Sequence, residues 1–161
     1  MSRVQLAINV ADLDAAVTFY SKLFGTVPAK RKPGYANFAI ADPPLKLVLF
    51  EGPEGGTINH LGVETESAAE VEAAETRLAA DGLETTGIDD TICCYATKVE
   101  TWVTDPDGTR WEWYVRTGDA EQMENAVLPA GGARNPDLLA GIVLAGADEA
   151  GCCGTTDTSC G

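Results

Sequence analysis

Apolar and polar positions in the first third of the chain follow a strand pattern and then a helical pattern. Alternation over Val4–Val10 predicts a strand, and apolar residues at helical spacing between positions 13 and 24 predict a helix. Asp12 is placed to cap that helix and Gly25 to end it. Two further strands are predicted at Ala36–Ala41 and Leu45–Glu51, joined by an Asp-Pro-Pro turn.

The same order of elements returns in the next part of the chain. Asn59–Thr65 predicts a strand, and the helix after it is capped by Ser67 and ended by Asp81-Gly82. Val99–Thr104 and Thr109–Arg116 predict two more strands around an Asp-Pro-Asp-Gly turn. The sequence therefore predicts an α+β domain over residues 1–117, made of two tandem βαβββ modules at about 1–52 and 57–117.

The composition changes after residue 117. Residues 118–161 are rich in glycine, alanine and aspartate, with a short helix expected at Gly118–Asn125. The last residues contain too few apolar side chains to order themselves, so we expect a flexible tail. That tail holds Cys152, Cys153 and Cys160 as candidate accessory thiols.

The net charge of the chain limits its possible partners, and its hydropathy pattern indicates its cellular compartment. With 11 Lys and Arg against 25 Asp and Glu, the formal net charge is −14. Such a field disfavours binding to nucleic acid or to an anionic membrane surface. No apolar run approaches the roughly 20 residues of a membrane helix, and the start lacks a signal-peptide pattern. We expect a cytoplasmic protein, a monomer or a homodimer, with a small-molecule partner.

Three polar residues on predicted strands are candidate metal ligands. His60 and Gln5 occupy matching positions of the two modules, and Glu112 lies between the large rings of Trp111 and Trp113. A carboxylate on a strand covered on both faces must be paired, protonated or bound to a cation. Alternatively, His60 is structural, Gln5 points to solvent at an edge, and Glu112 lies on a half-exposed strand. No local spacing motif links the three residues.

Adjacent cysteines suggest a second kind of chemistry. Cys93 and Cys94 are poor partners for a disulfide with each other, and an odd count of five in a reducing compartment disfavours a disulfide framework. Two thiols can chelate a soft centre such as trivalent arsenic, cadmium or zinc. On a regular strand they would point to opposite faces, so a shared ligand requires a bent backbone. The alternative is a pair of small buried apolar residues.

The double module and the segment Thr104–Glu112 resemble the vicinal oxygen chelate superfamily, which includes glyoxalase I and extradiol dioxygenases. The segments Val4–Val10, Asn59–Val63 and Ile92–Ala96 resemble, within it, the carbon–arsenic lyases and the cadmium-induced proteins. This resemblance covers residues 1–117, and the adjacent cysteines are its most specific part.

The resemblance implies a fold, a site and an activity. The modules would form a curved mixed-sheet cup, with Gln5, His60 and Glu112 as catalytic metal ligands and no ligand around Lys46–Val48. Fe(II), or another divalent ion, would be the cofactor and O2 the co-substrate. Cys93 and Cys94 would bind a trivalent organoarsenical, methyl- or aryl-arsenous acid, which is cleaved to arsenite for detoxification. A non-catalytic protein that sequesters cadmium or arsenite is the alternative, and a glyoxalase-type isomerase is disfavoured by the missing fourth ligand.

Overall fold

The computed structural model describes residues 2–134, which group into two compact units. The first unit extends to Glu64 and also contains Asp105–Glu112, and the second contains Thr65–Thr104 and the described chain from Trp113 onward. The predicted tail with Cys152, Cys153 and Cys160 lies outside the described residues.

The elements follow the predicted order. The first repeat contains β1 (Arg3–Val10), α1 (Leu13–Phe24), β2 (Lys30–Lys32), β3 (Tyr35–Ile40) and β4 (Leu45–Glu51). The second repeat contains β5 (Ile58–Glu64), α2 (Ala68–Ala80), β6 (Asp89–Cys93), β7 (Ala96–Thr104) and β8 (Arg110–Asp119). The short strand β9 (Ala126–Val127) and one 3-10 turn (Gly132–Arg134) follow. The predicted α+β class with two tandem βαβββ modules is confirmed.

The first unit combines strands of both repeats in one mixed sheet. Its strand order is β2-β3-β4-β1-β5, with β1 parallel to β4 and the other pairs antiparallel. Helix α1 buries Leu13 and Val17 against a core that includes Phe38, Leu47 and Leu49. Because α1 covers one face of this sheet, the polar residues of the candidate site lie on the other face of β1 and β5.

The second unit has its own core. Strand β6 pairs antiparallel with β7 and with β9. Val71 of α2 is fully buried, in a cluster with Ile92, Val99 and Val115. Within residues 2–134, neither helix is long and apolar enough to cross a membrane.

The predicted ends of both helices are confirmed. Asp12 accepts a hydrogen bond from the backbone N–H of Ala15, and Ser67 accepts one from Glu70. Gly25 ends α1 with φ 60°, a left-handed conformation that glycine adopts without a steric penalty.

The structure departs from the sequence prediction in four places, one of which is the two-residue strand β9, since no strand was predicted after residue 116. Strands β2 and β6 were not predicted, because charged residues dominate β2 and Asp89-Asp90 begins β6. The predicted short helix at Gly118–Asn125 is wrong, since β8 continues to Asp119 and the backbone after it bonds to another segment. Asp90 is accommodated in β6 because it accepts a 2.9 Å hydrogen bond from the Gly131 backbone.

Glu64 at the end of β5 provides a test of the first unit's charge network. Its carboxylate contacts Arg3 and lies 3.2 Å from Lys46 Nζ. Burial raises the pKa of Glu64, but the charges of Lys46 and Arg3 and their hydrogen bonds outweigh burial and hold this pKa below its usual value. The carboxylate therefore stabilises the fold above the unfolded-chain pKa of about 4.3, and this contribution disappears as pH falls through the lower, folded value.

We expect Glu64→Gln to lower the free energy of unfolding by about 1 kcal/mol at pH 7. The difference between variant and parent should shrink steadily below about pH 4.3, because the parent carboxylate then becomes protonated too. Urea unfolding of both proteins across this pH range measures the difference in their free energies of unfolding. A difference that does not change with pH would contradict the ionic explanation.

Candidate metal centre and cysteine pair

Gln5, His60 and Glu112 come together inside the first unit. Gln5 Nε2 lies 3.0 Å from His60 Nε2 and donates to Glu112 Oε2 at 3.1 Å, and His60 Nε2 lies 3.6 Å from the same carboxylate oxygen. The three residues are 4%, 5% and 1% exposed, so all are withdrawn from bulk water. Residues that are 55 and 107 positions apart thus meet around one point.

Strand register explains this convergence. Gln5 of β1 lies opposite Gly62 of β5, and Ala7 lies opposite His60, so Gln5 and His60 are on the same face of the sheet. Gly62 leaves the space that Glu112 fills: a Cβ built there would be 2.9 Å from the Glu112 carbonyl oxygen and 3.6 Å from the Gln5 Cβ. The glycine is therefore part of the site.

We expect Gly62→Ala to displace Glu112 and weaken divalent-metal binding by at least about tenfold. The added methyl group meets backbone, which cannot move aside cheaply, so we also expect about 1–3 kcal/mol of destabilisation. Metal titration and urea unfolding measure the two effects. Gly52→Ala is the matched control, because nothing lies within 4 Å of a Cβ at that position. Unchanged metal affinity in Gly62→Ala would contradict this role.

The donor set fits a divalent metal ion. In the rotamer observed here, the Gln5 NH2 group faces both the imidazole nitrogen and the carboxylate, as a cation would. Rotating the amide by half a turn presents its carbonyl oxygen, which makes an N,O,O set that suits iron, manganese or zinc. No cluster of three or more His, Cys, Asp or Glu is found among residues 2–134, consistent with a set in which one member is an amide.

The position where a fourth ligand could stand on β4 holds Lys46. Lys46 is the register partner of Gln5 on the parallel strand, and its ammonium group lies 3.2 Å from Glu64 Oε1. A lysine ammonium has no lone pair to give to a metal. The side chains present can therefore supply three ligands and leave coordination positions open.

The two adjacent cysteines lie at a tight turn in the second unit. Cys93 pairs with Ala96 in the β6–β7 register, so Cys94 and Tyr95 form a two-residue hairpin loop. Their φ angles are 57° and 61°, the positive values that a type I′ turn requires. The Cys93 and Cys94 sulfur atoms lie 2.9 Å apart, which is longer than an S–S bond of about 2.05 Å, so the disulfide in which Cys94 takes part is not with Cys93. The bent backbone thus brings both sulfurs to one side, as sharing a ligand requires.

Other parts of the second unit hold this strained turn in place. Non-glycine residues at positive φ cost roughly 1–3 kcal/mol each, and asparagine or glycine is the usual choice here. The Cys94 N–H donates to the Met123 carbonyl at 3.0 Å and the Tyr95 N–H to Gln122 at 2.9 Å. The Tyr95 carbonyl accepts from Ala120 at 3.2 Å. The backbone at 120–123 therefore bonds to the turn and does not form the helix that was predicted there.

A buried indole packs beside the cysteine pair. Cys93 and Trp102 form one apolar cluster, and Cys94 packs against it. The Trp102 Nε1–H donates to Glu100 Oε1 at 3.1 Å, and Lys98 Nζ lies 2.8 Å from the other oxygen of that carboxylate. All three polar groups are on one face of β7, so the indole next to the sulfurs has a fixed orientation.

A second carboxylate lies opposite Glu100 across the β6–β7 register. This residue is Asp89. Burial raises the pKa of Asp89, and the nearby Glu100 and Asp90 carboxylates raise it further. The negative charge on this part of the second unit is therefore concentrated, and Lys98 offsets it.

Sequence reasoning named some of these residues and missed others. The structure brings Gln5, His60 and Glu112 together, and brings the Cys93 and Cys94 sulfurs together. Gly62 and the Lys98–Glu100 pair were missed. A glycine inside a strand often marks a close backbone approach, and alternating charges inside an apolar strand indicate a buried ion pair. Those two signals could have identified them.

Comparison with known proteins shows to which superfamily the chain belongs. The family model of the Glyoxalase/Bleomycin resistance protein/Dioxygenase superfamily matches residues 3–113. The chain belongs to this superfamily. Among solved structures, the Mn(II)-bound glyoxalase from Novosphingobium aromaticivorans is similar with a TM-score of 0.54 at 20% identity, covering 76% of this chain and 43% of that one. This likeness supports the fold.

Two relatives are similar over most of their length. Cadmium-induced protein CadI of Mycobacterium tuberculosis is 62% identical over 122 residues, which cover 75% of this chain and 80% of the relative. The trivalent organoarsenical cleaving enzyme of Thermomonospora curvata is 57% identical over 128 residues, which cover 78% and 85%.

Proposed function

We propose that this protein is an Fe(II)-dependent, dioxygen-consuming carbon–arsenic lyase that cleaves trivalent organoarsenicals to arsenite and thereby detoxifies them. Its substrates would be methyl- or aryl-arsenous acids. The observation that carries the proposal is the cysteine pair at the β6–β7 turn, with 2.9 Å between its sulfurs. The relative that is named a trivalent organoarsenical cleaving enzyme supports the same conclusion.

Cys93 and Cys94, in their reduced form, would bind the substrate through arsenic. Each As–OH group leaves as water when a cysteine sulfur replaces it and the thiol proton is passed to that hydroxyl. One organoarsenous acid and two thiols thus form one dithiolate complex and two waters. Because the turn already holds the sulfurs together, the second As–S bond forms intramolecularly and is strongly favoured. The fixed Trp102 indole gives this complex an apolar neighbour.

Gln5, His60 and Glu112 would hold the metal ion. When bound, iron(II) would supply the site for activating dioxygen in the cleavage of the carbon–arsenic bond. The neutral amide of Gln5 leaves a set with a single negative charge, and burial of all three side chains excludes water from around it. Three protein ligands leave open positions for small molecules.

Oxygen uptake tests this proposal directly. Reduced, metal-stripped protein is titrated anaerobically with Fe(II), mixed with methylarsonous acid, and exposed to O2 in an oxygen electrode cell. We expect O2 consumption and arsenite release that depend on both Fe(II) and the arsenical. No oxygen uptake and no arsenite with Fe(II) bound would overturn the enzyme assignment.

The second candidate is a protein that sequesters cadmium or arsenite without turnover. The relative named a cadmium-induced protein favours it, and a pair of thiols suits a soft ion equally well. This function requires no Fe(II) and no oxygen, so arsenical or cadmium binding without O2 uptake would establish it in place of the lyase.

A further inference from the structure

Asn59 interrupts the regular pairing of β1 with β5 next to His60. Ala7 lies opposite His60 and Ile8 lies opposite Ile58, so Asn59 is the extra residue of a β-bulge. On a regular strand the side chains of Asn59 and His60 would point to opposite faces. At the bulge they meet instead, with 2.8 Å between Asn59 Oδ1 and His60 Nδ1. Bulges beside functional sites commonly redirect a side chain in this way.

A chain of hydrogen bonds fixes which atom of Asn59 faces the ring. The Thr57 hydroxyl donates to the Glu54 carbonyl at 2.8 Å, since a carbonyl can only accept. The hydroxyl oxygen then accepts from Asn9 Nδ2 at 2.9 Å, and Asn9 Oδ1 accepts from Asn59 Nδ2 at 3.0 Å. The amide of Asn59 therefore has its carbonyl oxygen towards His60.

The backbone anchors the far end of this chain. The Asn9 N–H donates to the Thr57 carbonyl at 2.9 Å, and the Gly56 N–H donates to the Asn9 carbonyl at 2.8 Å. Asn9 and Thr57 are thus held together by main-chain bonds as well as by their side chains. The direction of donors and acceptors along the side chains follows from fixed backbone positions.

The consequence for His60 is a single tautomer. Because Asn59 presents an acceptor, Nδ1 must carry the hydrogen, and Nε2 keeps its lone pair. The other side of the ring is consistent with this, since Gln5 Nε2 lies 3.0 Å from His60 Nε2. A histidine that binds metal through Nε2 needs this tautomer, and an acceptor on Nδ1–H also fixes the plane of the ring.

The geometry points to Asn59 as a positioning residue: with Asn9 and Thr57 behind it, it holds His60 with Nε2 ready for the metal. This inference rests on the proposed metal set of Gln5, His60 and Glu112. It assigns a role to a relay of neutral side chains that touches neither the metal nor the arsenical.

Cobalt(II) titration of the metal-stripped protein, followed by visible absorption, tests the role without using activity. We expect Asn59→Ala to weaken Co(II) binding by about 10–100-fold and Asn9→Ala to weaken it less. Asn59→Asp should restore part of the binding, because its carboxylate also accepts from Nδ1–H although it no longer donates to Asn9 Oδ1. The matched control is Asn37→Ala, which removes an amide that donates to the Tyr35 hydroxyl in the same unit, and it should bind Co(II) like the parent.

The ring itself gives a second readout, because His60 is the only histidine in the chain. Imidazole 15N chemical shifts of the metal-free protein should show a hydrogen on Nδ1 and none on Nε2. An Nε2–H tautomer in the parent would overturn the inference. If Asn59→Ala is too unstable for titration, the parent spectrum alone decides whether the inferred tautomer of His60 is present.

The outcomes separate this inference from the proposed function. Parent-like Co(II) affinity in Asn59→Ala, together with loss of binding in His60→Ala, would overturn the role of Asn59 alone. Parent-like affinity in His60→Ala would overturn the metal centre itself. Failure of Asn59→Asp to restore binding would reduce Asn59 to a structural residue of the bulge.

Discussion

Replacing Cys93 and Cys94 together by serine is expected to weaken binding of a trivalent organoarsenical by at least about 100-fold, while Fe(II) binding stays at the parent level. Serine hydroxyls are hard ligands with poor affinity for arsenic(III), and both As–S bonds are lost. Each single variant should also lose most of the affinity, because one thiol no longer gains from intramolecular closure. The sulfurs are 2.9 Å apart, so both can reach one arsenic atom.

The measurement is a titration of the reduced protein with phenylarsine oxide, followed by tryptophan fluorescence. The Trp102 indole packs beside the sulfurs and should report occupancy, and Trp102→Phe tests that assignment. The triple variant of Cys152, Cys153 and Cys160 to serine is the matched control, which removes three other cysteines and leaves the turn intact. Retained arsenical cleavage in the Cys93/Cys94 double variant would remove these cysteines from the mechanism.

Glu112→Gln is expected to reduce turnover by more than about 100-fold, whereas arsenical binding at the thiols changes by less than about twofold. Losing a neighbour of a ligand typically costs about 10–100-fold, and losing the anionic ligand itself should cost more. Glutamine has nearly the same volume, so the buried position, 1% exposed in the parent, does not become a cavity. Only the charge is removed.

Fe(II) affinity, O2 uptake and fluorescence-detected arsenical binding are measured on the same preparation. Glu64→Gln is the control, since it removes a half-buried carboxylate of the first unit that is paired with Arg3 and Lys46 and not with His60. We expect that variant to keep Fe(II) affinity and turnover. Parent-like O2 uptake in Glu112→Gln would remove Glu112 from the metal set.

Local sequence was sufficient for the helices and for most strands. Asp12, Gly25 and Ser67 act within a few residues of themselves, so their roles as helix ends are visible in the sequence. Strand β6 was missed because its first residues, Asp89 and Asp90, are favourable in a strand only when distant groups bind them. For Asp90 that group is the Gly131 backbone, 41 residues away.

At the candidate site, too, local sequence indicated some features and distant contacts decided the others. The residue types of Gln5, His60 and Glu112 suggested ligands, yet no spacing could place them together, since their convergence depends on the register of β1 with β5 and on the space left by Gly62. The cysteine pair was visible as adjacent letters. That both sulfurs point to one side depends on positive φ at Cys94 and Tyr95, which the backbone at 120–123 maintains.

By itself, the sequence determined the βαβββ repeat, the helix ends, the acidic charge and the chemical types at the site, because these follow from interactions between near neighbours in the chain. Only the tertiary structure decided which side chains share a face and which atom of each points inward. Asn59 is the clearest case: a one-residue bulge and three side chains outside the ring determine the tautomer of His60. Such an arrangement depends on hydrogen bonds between segments about 50 residues apart, and no local pattern records them.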